Sequence, residues 1–162
     1  MRKDRFFQIA LAGLTGAVAT ELLQWSMVLL GWTHSTSGHY LGAIIFASVK
    51  LDSARILVGE LAHLIASAAL GIPVYFVLSL SGRDFAVAKG GASGAVFWLN
   101  HAIIVPSFVA ARVPLRCSPA ESLIDLLALV LWGAITAYVL TRSGLPDSQT
   151  ATQPQQRPPT PP

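Results

Sequence analysis

Four long apolar stretches constrain this chain more than any other feature of its sequence. They cover residues 6–30, 56–80, 90–113 and 119–141, so each has at least 23 residues. At ~1.5 Å rise per residue, an α-helix of that length exceeds the roughly 30 Å hydrocarbon core of a bilayer. Because a backbone in lipid must satisfy its own hydrogen bonds, each stretch is predicted to be a transmembrane α-helix.

The composition agrees with a membrane location. Hydrophobic residues make up 53% of the chain and charged residues 12%, against about 25% charged residues in soluble domains. The lipid bilayer is therefore the predicted partner. The net charge of +3 is assigned to basic cytoplasmic loops and not to nucleic-acid binding, since no Lys/Arg run with interleaved aromatic residues is present. The single cysteine, Cys117, excludes an internal disulfide.

The predicted architecture is an all-α, four-helix transmembrane bundle. Residues 1–144 form the membrane domain, and the polar, proline-rich residues 145–162 are predicted to be disordered. The later loops are short, so spans 2, 3 and 4 are predicted to be antiparallel neighbours. Seven of the 11 Lys and Arg residues lie on the side of the N-terminus, which predicts cytoplasmic N- and C-termini. Four helices are few for a transporter, which favours a homodimer.

Local signals refine this picture. The basic start and Ala17-Val18-Ala19 resemble a signal peptide, but the apolar run continues to residue 30, which favours a retained helix. The apolar segment 40–49 is too short to span and is predicted to be re-entrant or interfacial. His34 and His39, in the same outer loop, are predicted to be solvated. Ser118, Pro119 and Glu121 predict a capping box at the start of span 4.

The spans also carry signs of an internal repeat. GLTGAV at residues 13–18 resembles GASGAV at residues 91–96, and spans 2 and 4 match at an offset of 62 residues. That offset pairs Gly71 with Gly133, His63 with Asp125, and Ser81-Gly82 with Ser143-Gly144. The pattern predicts two parallel helical hairpins of the kind that small transporters use. Chance matching in a Gly-, Ala- and Leu-rich sequence is the alternative.

Polar and ionisable residues inside the spans are the candidate functional residues, because charge within a bilayer is costly and usually has a partner. They lie 8 to 11 residues from the repeat glycines, which places them in one layer in the outer half of the membrane, about 12–17 Å from the glycine level. Helical spacing also puts them on shared faces that can point inward. The predicted polar cluster comprises Glu21, Gln24, Glu60, His63, Asn100, His101 and Asp125.

Three functions remain open from these residues. The cluster could handle protons, ions or a small solute. Alternatively, it could bind one divalent metal such as Zn²⁺ or Fe²⁺, as a metal-binding protein or a metal-dependent membrane enzyme, with ligands drawn from Glu60, His63, His101, Glu21 and Asp125. The third function is a structural or assembly subunit held by interhelical hydrogen bonds. No soluble-enzyme motif is present, which favours a non-enzymatic role.

One stretch resembles a known family. The residues that carry the resemblance are Gly59, His63, Gly71, Tyr75, Gly82, Lys89-Gly90, Gly94 and Trp98. Their pattern is similar to that of the YqhR-like group of small four-helix bacterial membrane proteins, whose function is unknown. The resemblance implies a multi-pass protein of the prokaryotic cytoplasmic (inner) membrane, and it implies no activity.

Overall fold

The structure, a computed structural model, describes residues 4–48, 50–104, 107 and 118–145. Over these residues the chain is helical without strands, as predicted. Helix α1 covers Arg5–Leu29, α2 covers Ser37–Phe46 and α3 covers Ser53–Ser81. Helix α4 covers Ala86–Leu99 and continues as a π-helix over Asn100–Ile104, and α5 covers Pro119–Arg142. The predicted disordered tail lies outside the described residues, except for Leu145, and Cys117 lies outside them too.

Most of these helices begin at a side-chain cap. Asp4 and Asp52 accept backbone N–H groups at the starts of α1 and α3. Ser118 and Glu121 form the predicted capping box of α5, which is confirmed. Thr36 and His39 form a second box at the start of α2, where an imidazole takes the place of the usual Glu or Gln. These caps satisfy backbone donors that would otherwise lack partners at the helix ends.

Three of the helices are long and apolar enough to cross a membrane, namely α1, α3 and α5. No more than a third of the most apolar window of each is buried inside the protein, so most of its apolar surface faces outward, as lipid requires. These features suggest a membrane protein. Pro73 lies inside α3, which is tolerated in transmembrane helices where neighbouring groups satisfy the freed carbonyl. The third predicted span corresponds to α4 and its π-helical extension, and part of its remainder lies outside the described residues.

Helix α1 lies between α3 and α5 and packs against both. Helix α4 packs mainly on α5, and α2 packs on α3. Helices α4 and α5 are therefore neighbours as predicted. Helices α3 and α4, by contrast, pack little against each other, although the loop between them has only four residues, 82–85. A short loop sets the distance between two helix ends, whereas the small-residue faces decide which helices pack along their length.

Glycines bring the paired helices into backbone contact. A Cβ on Gly13 would overlap the α3 backbone at Ser67, and one on Gly71 would overlap the α1 backbone at Ile9. In the other pair, a Cβ on Gly90 would overlap the backbone of Gly133, and the reverse also holds. Small residues allow this close approach, which supplies the dispersion contacts that hold helices together in lipid.

Trp132 fills the centre of the bundle. Its side chain is 2% exposed, and its indole N–H donates to the carbonyl oxygen of Gly13 over 3.0 Å. Its ring meets Phe97 edge-on. One side chain on α5 thus contacts both α1 and α4, which fixes the packing beneath the polar cluster.

Candidate functional site

The short helix α2 lies directly over the polar residues of α3. Gly38, Gly42 and Gly59 allow this approach, because a Cβ on Gly59 would overlap the backbone of Gly38. A Cβ on Gly38 would overlap the carboxyl group of Glu60. Residues 40–46 of the apolar segment predicted at 40–49 are thus the last seven residues of a ten-residue helix. Its small-residue face covers a carboxylate on α3.

A hydrogen-bonded chain links Glu60 to α2. The Thr36 hydroxyl donates to Oε1 of Glu60 over 2.6 Å, and it lies 2.9 Å from Nδ1 of His39. The Thr36 backbone N–H also points at Nδ1, over 3.3 Å. His39 is therefore half-buried and bonded within the capping box, so the prediction that it is solvated is wrong. His34 is exposed, and its backbone N–H donates to Glu121.

Gln24 joins three helices. Its Oε1 accepts from the backbone N–H and the hydroxyl of Ser37, over 2.7 Å and 2.9 Å. Its Nε2 donates to Oδ1 of Asp125 over 3.4 Å. The side chain is 3% exposed, so an amide buried on α1 orients both the start of α2 and the carboxylate on α5.

Glu21 and His63 face each other between α1 and α3. The Nε2 atom of His63 lies 3.2 Å from Oε1 of Glu21, and the side chains are 13% and 12% exposed. The two groups are within ion-pair distance but are not aligned as a hydrogen bond. Among the residues that the structure describes, neither oxygen of an ionised Glu21 has a hydrogen-bond partner, and a protonated carboxyl could bond only to Glu60. Glu60 is the neighbouring carboxylate, so two acids and one imidazole share a small space.

A cavity of about 140 Å³ adjoins this group, in the gap where α3 and α4 only touch. Its polar lining residues are Gln24, Ser37, His63, Asn100, His101 and Asp125. The π-helical turn carries two of them, Asn100 and His101. Tyr40 of α2 stacks on the His101 ring at 4.0 Å between centroids, and its hydroxyl donates to the His101 carbonyl. Such wide turns are frequent at functional sites.

The structure therefore brings the predicted polar residues together in two adjoining groups. Glu21, Glu60 and His63 form the first, and the other four predicted residues line the cavity together with His63. Sequence reasoning missed the contribution of α2, namely Thr36, Ser37, His39 and Tyr40. The Thr36-x-x-His39 spacing before an apolar run was the available signal, but His is an unusual partner in a capping box.

The geometry of these residues gives little support to the metal-binding hypothesis. No group of three or more His, Cys, Asp or Glu side chains within the described ranges is arranged to hold a metal ion. Elemental analysis of the purified protein tests the hypothesis directly, beside the Glu60→Ala/His63→Ala double variant. From this geometry we expect no stoichiometric metal in either. A near-stoichiometric metal in the wild type that is lost in the variant would reinstate the metal site.

Comparisons of the chain with protein-family models, with curated proteins and with solved structures gave no match. The proposals below therefore rest on the geometry of the chain itself.

Proposed function

We infer that this chain is a proton-exchanging membrane protein that handles a small cation or polar solute in its outer half. The observation that carries the proposal is the environment of the Glu21 carboxylate. Its two buried carboxylate oxygens have no hydrogen-bond partner among the described residues while both acids are ionised, and the Glu60 carboxyl group lies close enough to share a proton with it, beside His63. An arrangement that served only as structural hydrogen bonding would pair these oxygens, because an unmade bond in a buried site is costly.

Two neighbouring carboxylates in a site of low dielectric constant repel each other, and a proton or a cation between them relieves that repulsion. His63 can pass such a proton on, since it approaches Glu21 and also lines the cavity. On the other side, Thr36 donates its hydroxyl to Glu60 and its backbone N–H to Nδ1 of His39, near the outer end of the bundle. The carboxylate pair thus has one imidazole on the cavity side, His63, and another on the side of α2, His39.

The proposed setting is a four-span bundle of the prokaryotic inner membrane with both termini in the cytoplasm. Arg83 donates to the Gly144 carbonyl, and the start of α1 lies beside the end of α5. Basic residues therefore gather at one end of the bundle, which supports the orientation. They are Arg5, Arg83, Lys89 and Arg142. A homodimer, suggested by the small size of the bundle, and the YqhR-like resemblance remain part of this proposal.

The proposed repeat of two helical hairpins is supported by matching contacts. Gly13 contacts Ala68 of α3, and its counterpart Gly91 contacts Val130 of α5, the residue that the offset of 62 pairs with Ala68. The paired residues Leu78 and Leu140 are both 0% exposed. The paired glycines Gly82 and Gly144 both follow a helix with positive φ, at 81° and 86°. Matching positions thus have matching roles in the two hairpins.

Infrared spectroscopy of the protein in nanodiscs tests the proposed proton site. We expect the wild type to show a carboxylic-acid C=O band that gains and loses intensity as the pH changes. Glu21→Gln should remove that band, because the amide keeps the shape of the side chain but cannot bind the exchanging proton.

Glu121→Gln is the matched control, since Gln at this capping position retains the capping box, and it should keep the band. If the pH-dependent spectra of Glu21→Gln and the wild type are identical, Glu21 is not the proton site. A purely structural network predicts a different pattern, in which Glu21→Gln lowers the stability of the bundle and leaves the titrating carboxyl signal in place.

A further inference from the structure

The cavity between α3 and α4 is polar at its outer end and apolar one helical turn further in. On α3 the lining changes from His63 to Ala66 and Leu70, and on α5 it changes from Asp125 to Leu129. Helix α4 runs in the opposite direction, and there the lining changes from Asn100 to Phe97. On all three helices the lining therefore changes from polar to apolar toward the inner end of the cavity. A ligand that matches them has a polar outer end and an apolar inner end.

The outer end favours a cationic hydrogen-bond donor. Its polar groups are the Asp125 carboxylate, the side-chain amides of Gln24 and Asn100, the imidazoles of His63 and His101, and the Ser37 hydroxyl, which donates to Gln24. Leu41 of α2 adds one apolar side chain to the lining. No Lys or Arg lines the cavity within the described part of the chain. Gln24 already donates to one oxygen of Asp125, which holds the carboxylate at the cavity wall. An ammonium group supplies donors to carboxylate, amide and neutral imidazole acceptors.

The volume limits the length of the ligand. An apolar cavity of about 150 Å³ in another protein holds benzene, which has six heavy atoms. The cavity here measures about 140 Å³, so a nitrogen with roughly five carbons would fill it. A lipid or a long-chain amine is too large to be enclosed, and a bare metal cation would leave the apolar half empty.

We propose that this cavity binds a short-chain alkylammonium ion, with its ammonium group at Asp125 and its alkyl chain directed toward Phe97, Leu70 and Leu129. The ligand identifies the small cation of the function proposed above, and to that extent the inference rests on it. The apolar half selects for chain length, and the polar half selects for positive charge. Selectivity for chain length and selectivity for charge can both be measured whether or not Glu21 exchanges a proton.

Calorimetric titration of the full-length protein in nanodiscs with methyl-, propyl-, pentyl- and octylammonium chloride tests this site, with protein-free nanodiscs as the blank. We expect affinity to rise about fourfold per methylene, the increment for burying one CH₂ group, up to pentylammonium and to fall for octylammonium. Pentanol should bind more weakly than pentylammonium, and pentanoate should not bind. An affinity independent of chain length, or equal for the alcohol and the amine, would overturn the proposal. So would tighter binding of Na⁺ or K⁺.

Two pairs of variants locate the site. Asp125→Asn should weaken pentylammonium binding about tenfold or more, as expected for losing a bond between charged groups, whereas Asp52→Asn, which keeps the N-cap of α3 outside the cavity lining, should not change it. Ala66→Leu fills the cavity and should abolish binding, whereas Ala69→Leu, which lies outside the cavity lining on an exposed face of α3, should leave it intact. Unchanged binding in Ala66→Leu would place the ligand elsewhere.

The infrared test of Glu21 separates this inference from the proposed function. A titrating Glu21 band without amine binding would overturn only the alkylammonium site. Chain-length-selective amine binding without a Glu21 band would leave the binding site standing and reject proton exchange at Glu21.

Discussion

Trp132→Ala should be among the most destabilising single substitutions in this chain. The variant loses a side chain that is 2% exposed, its hydrogen bond to the Gly13 carbonyl and its edge-on contact with Phe97. Removing a large buried side chain costs about 3–5 kcal/mol in soluble proteins. We expect about 3 kcal/mol here, because the helices remain in lipid when the bundle dissociates and part of the transfer term is absent. Unfolding in bicelles by added SDS, followed by far-ultraviolet circular dichroism, measures the change.

Trp32→Ala is the matched control for that experiment. Trp32 is 65% exposed, so its removal leaves no internal cavity and should change the unfolding free energy little. Trp132→Phe should fall between the two, since it keeps a ring beside Phe97 and loses the N–H donor, at a cost of about 1 kcal/mol for that bond. Equal stability of Trp132→Ala and Trp32→Ala would show that α5 does not pack on α1 through this residue.

Adjacent glycines on α4 should respond in opposite ways to the same substitution. A Cβ on Gly90 would overlap the Gly133 backbone, whereas one on Gly91 would make an ordinary contact 3.4 Å from Cγ1 of Val130. Backbone overlap cannot be relieved by a side-chain rotation, so we expect Gly90→Ala to cost about 1–3 kcal/mol or more. Gly91→Ala should be neutral or stabilise by up to ~1 kcal/mol through helix propensity. The same SDS titration compares the two variants.

The comparison is internally controlled, because both substitutions add one methyl group to the same turn of α4. If the two variants are equally stable, α4 and α5 do not approach through the Gly90–Gly133 contact.

Several elements followed directly from the sequence. The apolar stretches predicted helices, and α1, α3 and α5 begin and end within a few residues of the predicted spans. The capping box at Ser118 was predicted from the residue types alone. The structure also places Glu21 beside His63 and Gln24 beside Asp125, and their common depth stays a prediction from their spacing to the glycines. Helix periodicity and rise fix depth and face as soon as a segment is known to be helical.

The role of α2 did not follow from the sequence. Its apolar residues predicted a segment at the membrane surface or re-entering it, but the contact of Gly38 with the Glu60 carboxyl group depends on how two helices cross. The role of Thr36 also depends on the tertiary structure. In the sequence it is one of several hydroxyl residues in that loop, whereas in the structure its hydroxyl lies 2.6 Å from Oε1 of Glu60. The gap between α3 and α4 was also not predicted, because it results from α4 packing its glycines on α5.

The sequence by itself determined that the described part of this chain is helical, with apolar helices long enough for a bilayer, and it predicted ionisable residues at a common depth. These properties depend on local composition and on the regular geometry of one helix. Only the tertiary structure decided which helices pair, which acids meet which imidazoles and where a cavity remains. Those outcomes depend on contacts between residues far apart in the chain, such as Gln24 with Asp125 and Trp132 with Gly13, and no local pattern encodes them.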